Sequence, residues 1–144
     1  MQLRLAVTED RQRCIDLLTM LNPEFDANAT SVFELLLSQE RGQILVAEHD
    51  DKLVGMASVS FNLAMRYGGE YCQLEELIVD PAARGLNAGG ALVQATIEAA
   101  RQRGCAEYGL YLVESTEHNA PFYAKYGLVK LGSEMRMNLK EGVA

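Results

Sequence analysis

The sequence predicts an α/β fold of the α+β type, with one mixed central sheet and helices on both faces. Three observations predict it. The apolar pattern switches between period-two alternation and helical spacing in the order β-α-α-β-β-β-α-β-α-β. A polar cluster, His49-Asp50-Asp51-Lys52, separates two strand-like runs as a hairpin turn does. The segment from Leu74 to Leu92, LEELIVDPAARGLNAGGAL, carries a strand through a Pro-containing turn straight into a glycine-rich helix start, as a parallel crossover would. A hairpin and a crossover in one chain call for a mixed sheet.

The elements follow in order. Gln2 to Val7 alternates as a strand, Thr8 is placed to cap a helix, and Glu9 and Asp10 suit a first turn. Cys14, Ile15, Leu17, Leu18 and Leu21 form one apolar helical stripe, which Asn22-Pro23 ends. A second helix is predicted from Ser31 to Glu40, with Val32, Phe33, Leu35, Leu36 and Leu37 on its apolar side and Arg41-Gly42 as its stop. Ile44 to Glu48 and Leu53 to Phe61 form the hairpin strands. After a loop at Met65 to Gly69 come the strand Leu74 to Val79 and a helix to about Arg103. A strand from Glu107 to Val113, a short helix from Ala120 to Tyr126 and strand material from Leu128 to Leu139 complete the chain. No repeat, linker or low-complexity tract interrupts it, so residues 1–144 are expected to form a single domain.

Composition narrows the functional classes. The 144 residues, 49% hydrophobic and 23% charged, suit one globular domain with a single core. No apolar run approaches the ~20 residues of a membrane span, and Met1-Gln2-Leu3-Arg4 enters an alternating strand rather than a signal peptide. No membrane association and a cytoplasmic location are therefore expected. A net charge of −7 argues against nucleic-acid binding, which needs clustered Lys and Arg, but it permits a cationic substrate. Cys14, Cys72 and Cys105 lack metal-site spacing and read as reduced thiols, so no metal is expected.

Strand, turn and helix meet at Arg84-Gly85-Leu86-Asn87-Ala88-Gly89-Gly90. Glycines there let a ligand approach the backbone, and the unpaired first-turn N–H groups with the helix dipole attract negative charge, which suits an oligophosphate. The same glycines also serve tight helix–sheet packing. A Walker loop would need Gly-Lys-Ser/Thr, which is missing. A dinucleotide fold would place the glycines in its first strand–helix unit, whereas three strand candidates precede them here and Glu114 is only loosely placed for a ribose.

These residues resemble motif A of the GNAT superfamily of N-acetyltransferases, in which a strand ending V-x-P is followed by an Arg/Gln-x-x-Gly-x-Gly/Ala loop. Arg84, Gly85 and Gly89 match. Asn87 replaces a glycine, and asparagine tolerates the left-handed backbone that such a turn needs. Downstream, Asn119-Ala120-Pro121-Phe122-Tyr123-Ala124-Lys125-Tyr126-Gly127-Leu128 is similar to the family's motif B, with Leu128 in place of an aromatic residue. Two motifs in order, roughly forty residues apart, are more specific than either alone. The resemblance implies the single-domain GNAT acyl-CoA N-acyltransferase fold with acetyl-CoA as co-substrate. It further implies that the pyrophosphate lies on residues 84–90, including Leu86, Ala88 and Gly90, and that the pantetheine arm runs beside Leu77, Ile78 and Val79.

Acetyl transfer to an amine needs a proton acceptor near the thioester, donors for the carbonyl oxygen and an acid for the leaving thiolate. Glu75 and Glu76 are adjacent candidates for the base, and strand alternation sends only one of them to the substrate side unless a bulge intervenes. The resemblance prefers Glu76; Glu75 stands second, because some members carry the acidic residue one place earlier. Tyr123 occupies the motif-B position of the acid that protonates the thiolate, although Phe122, Tyr123 and Tyr126 also have the spacing of a packed helix face. Asn119 is assigned to pantetheine or to capping of the short helix. Lys125 and His49 read as solvated, and His118 is a minor relay candidate.

The resemblance places the acceptor pocket at Phe25 to Phe33 and Ala64 to Tyr71. Glu24, Asp26, Arg66, Tyr67, Glu70 and Tyr71 there could bind an amine and a second, anionic group. Within the superfamily, Glu76-Leu77-Ile78-Val79 with Ala83-Arg84-Gly85-Leu86-Asn87 looks most like small aminoalkylphosphonate acetyltransferases. The expected acceptor is a small-molecule primary amine. A protein lysine or N-terminal acetyltransferase and a silent acyl-CoA-binding module stand as alternatives, and a homodimer accords with the resemblance.

Overall fold

The computed structural model describes residues 1–25 and 28–140, which form two compact units, Met1–Leu110 and Tyr111–Ala144. The first unit holds a five-stranded sheet in the order β1-β2-β3-β4-β5. Its strands are β1 (Gln2–Leu5), β2 (Gly42–His49), β3 (Lys52–Ala64), β4 (Gly69–Val79) and β5 (Tyr108–Leu110). The first three pairings are antiparallel and β4–β5 is parallel, so the predicted mixed sheet is present. The β2–β3 turn is formed by Asp50 and Asp51, both in the left-handed region at φ 51° and 62°. Short polar side chains tolerate that geometry, and it matches the strand twist.

Helices α1 (Arg11–Leu21) and α2 (Ala29–Leu36) cover one sheet face, and α3 (Ala88–Arg103) covers the other. On the first face Cys14, Leu17 and Phe33 pack with Ile44, Val46, Met56 and Ile78 into one buried cluster. On the second, Leu92, Val93, Thr96 and Ala100 of α3 are buried, as are Val59, Phe61, Cys72 and Leu74 of the strands beneath. The hydroxyl of Thr96 lies 2.9 Å from the Tyr108 hydroxyl and donates to the Val93 carbonyl at 2.8 Å, which satisfies a polar group in the apolar layer.

Several boundaries differ from the sequence reading. Thr8 does not cap α1. It opens a short 3-10 turn, Thr8–Asp10, in which the Asp10 carboxylate accepts from the Val7 N–H at 2.8 Å and from both terminal nitrogens of Arg4. The Arg4 pairing holds the Asp10 carboxyl below its usual range. Helix α2 begins earlier and ends sooner than Ser31 to Glu40, and β4 extends back to Gly69, making β3–β4 one long hairpin around a 3-10 turn at Met65–Tyr67. Strand β5 is confined to Tyr108–Leu110.

In the second unit, α4 (Ala120–Ala124) follows a 3-10 stretch, Glu114–Asn119. The strand expected over Leu128 to Leu139 does not form. Val129, Leu131, Met135, Met137 and Leu139 keep a period-two rhythm but are 73–96% exposed, and the described residues of their own unit contain no strand for them to pair with. Among the described residues no helix is long and apolar enough to cross a membrane.

Candidate active site

The register of β3 on β4 shifts by one residue at the candidate carboxylates. Ser58 pairs with Glu76 and Val59 with Leu74, so Glu75 is the extra residue of a β-bulge. The bulge brings both glutamates to one sheet face. The Ser58 hydroxyl donates to Glu76 Oε1, and the Ser60 hydroxyl, two residues along β3 and therefore on the same face, donates to Glu75 Oε2 at 2.6 Å. The choice that strict alternation imposed between the two is removed by this bulge.

Environment then separates the pair. Glu75 is exposed and Glu76 is half-buried. Burial, reinforced by the neighbouring Glu75 charge and opposed by the Ser58 hydrogen bond, pushes the Glu76 carboxyl above its usual range. A half-buried carboxylate of raised proton affinity, held by a neighbouring hydroxyl, suits a general base.

The bulge also marks where the sheet splits. Parallel pairing between β4 and β5 covers Cys72, Gln73 and Leu74 and stops there. From Glu75 to Val79 that edge of β4 has no ladder within the unit, which leaves the backbone of Leu77, Ile78 and Val79 open to an extended ligand. The Ile78 side chain belongs to the apolar cluster.

Beyond Val79 the chain turns through Asp80, whose carboxylate accepts from the Ala82 N–H at 2.9 Å. Arg13 of α1 fixes this corner, donating to Asp80 Oδ2 at 2.6 Å and to the Leu53 carbonyl at 3.0 Å. The Ala82 N–H and Arg13 together hold the Asp80 carboxyl below its usual range. No local pattern links residues 67 positions apart, so Arg13 was invisible in the sequence.

Gly85 has φ +89° and Asn87 φ 56°, so asparagine adopts the left-handed conformation in the place of the motif's glycine. Asn87 immediately precedes α3 and accepts the first helical bond, from the Ala91 N–H at 3.1 Å. The N–H groups of Ala88, Gly89 and Gly90 precede that bond and lack intrahelical acceptors. A Cβ built at Gly85 would meet nothing within 4 Å, Leu86 is half-buried, and Arg84 is exposed with no ion pair among the described residues. Open space, free N–H donors, a helix N-terminus and an unpaired guanidinium fit a pyrophosphate.

In the second unit Tyr123 is half-buried on α4. Its ring meets Phe122 edge-on at 5.0 Å, and burial raises the phenol's pKa, so it stays protonated at neutral pH. Packing and proton donation are compatible in this residue. Asn119 stands at the N-cap of α4 but makes no capping hydrogen bond. Lys125 is exposed, with its ammonium 5.4 Å from the Phe122 ring centre, and His118 is exposed.

The expected acceptor residues divide. Glu70 is engaged elsewhere, in a two-point ion pair with Arg103 of α3 at 2.9 and 3.1 Å. Arg66, Tyr67 and Tyr71 cluster at the β3–β4 turn, and Glu24 is exposed in the loop after α1. Asp26 lies outside the described residues. Cys14 and Cys72 are fully buried thiols, each pushed up to about 12 by burial. No group of His, Cys, Asp and Glu able to hold a metal occurs among the described residues.

A mixed sheet split at a bulge, with a helix-start cradle beyond the split, is the acetyltransferase scaffold that the two motifs implied. The chain belongs to the Acetyltransferase (GNAT) family, whose model matches residues 6–128. Among curated proteins it is 33% identical over 89 residues to a glucosamine 6-phosphate N-acetyltransferase of Trypanosoma brucei brucei, covering 61% of this chain and 58% of that protein. It is 35% identical over 71 residues to glucosamine 6-phosphate N-acetyltransferase 1 of Oryza sativa subsp. japonica, covering 49% and 41%. The matches thus span about half the length of these relatives. Their names correct the local likeness to aminoalkylphosphonate acetyltransferases. Among solved structures, an acetyltransferase of Trypanosoma brucei superposes with TM-score 0.79 at 26% identity, over 96% of this chain and 99% of that one. The glucosamine-6-phosphate N-acetyltransferase of Arabidopsis thaliana shares the fold, with TM-score 0.79 at 23% identity over 96% and 97%.

Proposed function

We propose that this protein is an N-acetyltransferase that moves the acetyl group of acetyl-CoA to the primary amine of a small molecule by direct attack on the thioester. The observation that carries the reading is the bulge at Glu75: beside it Glu76, a half-buried carboxylate of raised pKa, stands near the point where the β4–β5 ladder ends. The amine–carbon bond forms as the carbon–sulfur bond breaks. Glu76 accepts the proton that the amine loses, directly or through water, and Glu75 favours a cationic acceptor in the approach to it. The backbone of Leu77, Ile78 and Val79 supplies donors for the carbonyl oxygen and the pantetheine amides, and residues 84–90 hold the pyrophosphate. Tyr123 returns a proton to the departing thiolate, supported by its motif position and its protonated phenol. Asn119, with no capping bond, is free to meet pantetheine.

The names of the curated relatives make glucosamine 6-phosphate the first acceptor to try. A cytoplasmic location and a homodimer accompany the reading, tested by fractionation and light scattering. The central experiment is calorimetric titration of acetyl-CoA, with desulfo-CoA and ATP as controls, followed by thiol release on adding a panel of small amines. Selective binding with turnover is expected. Binding without turnover of any amine would favour a protein acceptor or a silent acyl-CoA-binding module; absence of binding would remove the cradle.

A further inference from the structure

The face that carries Glu76 continues toward the β3–β4 turn as a polar strip. Ser58, Ser60 and Asn62 of β3 stand on it by alternation, and their pairing partners Glu76, Gln73 and Tyr71 share it. Asn62 also donates to the Ser60 hydroxyl at 2.9 Å. At the far end the strip meets Arg66, whose guanidinium carbon lies 4.7 Å from the ring centre of Tyr67 and 5.3 Å from that of Tyr71. The two rings are 5.5 Å apart, and the Tyr67 hydroxyl donates to Glu107 at 2.7 Å, which fixes the nearer ring.

Arg66, like Arg84, keeps a charge that no carboxylate takes up among the described residues. The chain has 20 acidic residues against 13 basic ones, and Arg4, Arg11, Arg13, Arg101, Arg103 and Arg136 each pair with a carboxylate. Arg66 pairs with none among the described residues, and the Glu107 carboxylate takes the Tyr67 hydroxyl. Contact with the Tyr67 and Tyr71 rings and hydroxyls orients the guanidinium and raises its pKa without neutralising its charge, which stays suited to an oxyanion.

We propose that Arg66, held by Tyr67 and Tyr71, is the specificity-determining anchor for a phosphate monoester on the acceptor, while the acceptor's amine lies at Glu76. This rests on the acetyl-transfer reading above. From Ser58, paired with Glu76, to Asn62, paired with Tyr71, is four strand steps, about 13 Å of backbone, so the two ends of the strip stand well apart. A phosphorylated aminosugar suits that separation better than a short aminoalkylphosphonate, with amine and phosphorus on neighbouring carbons.

The test is steady-state kinetics of the wild-type chain, Arg66→Ala and Arg66→Lys with glucosamine, its 6-phosphate and 2-aminoethylphosphonate, at two ionic strengths. The wild type is expected to prefer the sugar phosphate over both others. Arg66→Ala should raise KM for the sugar phosphate at least ~10-fold more than KM for the unphosphorylated sugar, with kcat little changed, equivalent to about 1.4 kcal/mol of selective binding. Arg66→Lys should recover part of the loss, and added salt should erode the preference. Turnover without preference for phosphate, or an equal effect of Arg66→Ala on both sugars, overturns the anchor and leaves acetyl transfer standing. Acetyl-CoA binding with no turnover of any amine overturns both.

Discussion

The two faces of the β3–β4 hairpin are built from the same alternating residues, yet one is hydrocarbon and the other polar. Beneath α3, Val59, Phe61, Cys72 and Leu74 are all buried. Opposite them, one residue out of phase, stand Ser58, Ser60, Asn62, Gln73 and the two glutamates. Only the end of this second face that meets Met56 and Ile78 joins the cluster formed with α1 and α2. The hairpin thus holds itself in place with one face and presents chemistry on the other, and the bulge lets two consecutive glutamates serve the second. Stability and catalysis should therefore respond separately to changes on the two faces.

The largest separation is expected at Glu76. Glu76→Gln keeps the shape and the Ser58 contact but removes the base, so kcat should fall by roughly 10²–10³-fold while acetyl-CoA affinity changes little. A fall in affinity of similar size would mean that the residue serves binding instead. On the opposite face, Leu92→Ala should cost about 2–5 kcal/mol in chemical denaturation, because Leu92 of α3 is fully buried against the sheet. Ser58→Ala should cost less, about 1–2 kcal/mol, and should raise the Glu76 pKa further, since the hydroxyl bond is the influence that lowers it. Equal stability losses at both positions would erase the proposed division. The smallest effect belongs to the turn: Asn87→Val forces a β-branched residue to φ 56° and should weaken acetyl-CoA binding by about tenfold, while Asn87→Gly preserves it. Unchanged affinity in the valine variant would detach that turn from the cradle.

The order of elements was legible because periodicity and turn residues report local backbone, and Asn87 fits its position for the reason that chemistry gave in advance. The bulge left a trace that a plain strand reading missed. Apolar residues of the α3-facing phase fall at Cys72 and Leu74 and then at Leu77, which pairs with buried Ala57, so the alternation slips by one at Glu75. Arg13 was harder, and Arg66, though named among the acceptor residues, was not singled out from them. The first acts through an ion pair formed only by folding, and the second draws its meaning from two rings and from carboxylates engaged elsewhere. Leu128 to Leu139 shows the reverse error, since a strand rhythm was present where the described residues of its own unit hold no strand.

The pH dependence of kcat/KM for the amine, measured on the wild type and on Glu76→Gln, tests the central claim most directly. The limb set by the amine's own ionisation is common to both. The account predicts a second, acidic limb in the wild type, above the range of an ordinary glutamate, because ionised Glu76 is required and burial raises its pKa. That limb should vanish in Glu76→Gln. Its persistence in the variant would contradict the assignment of Glu76 as the base.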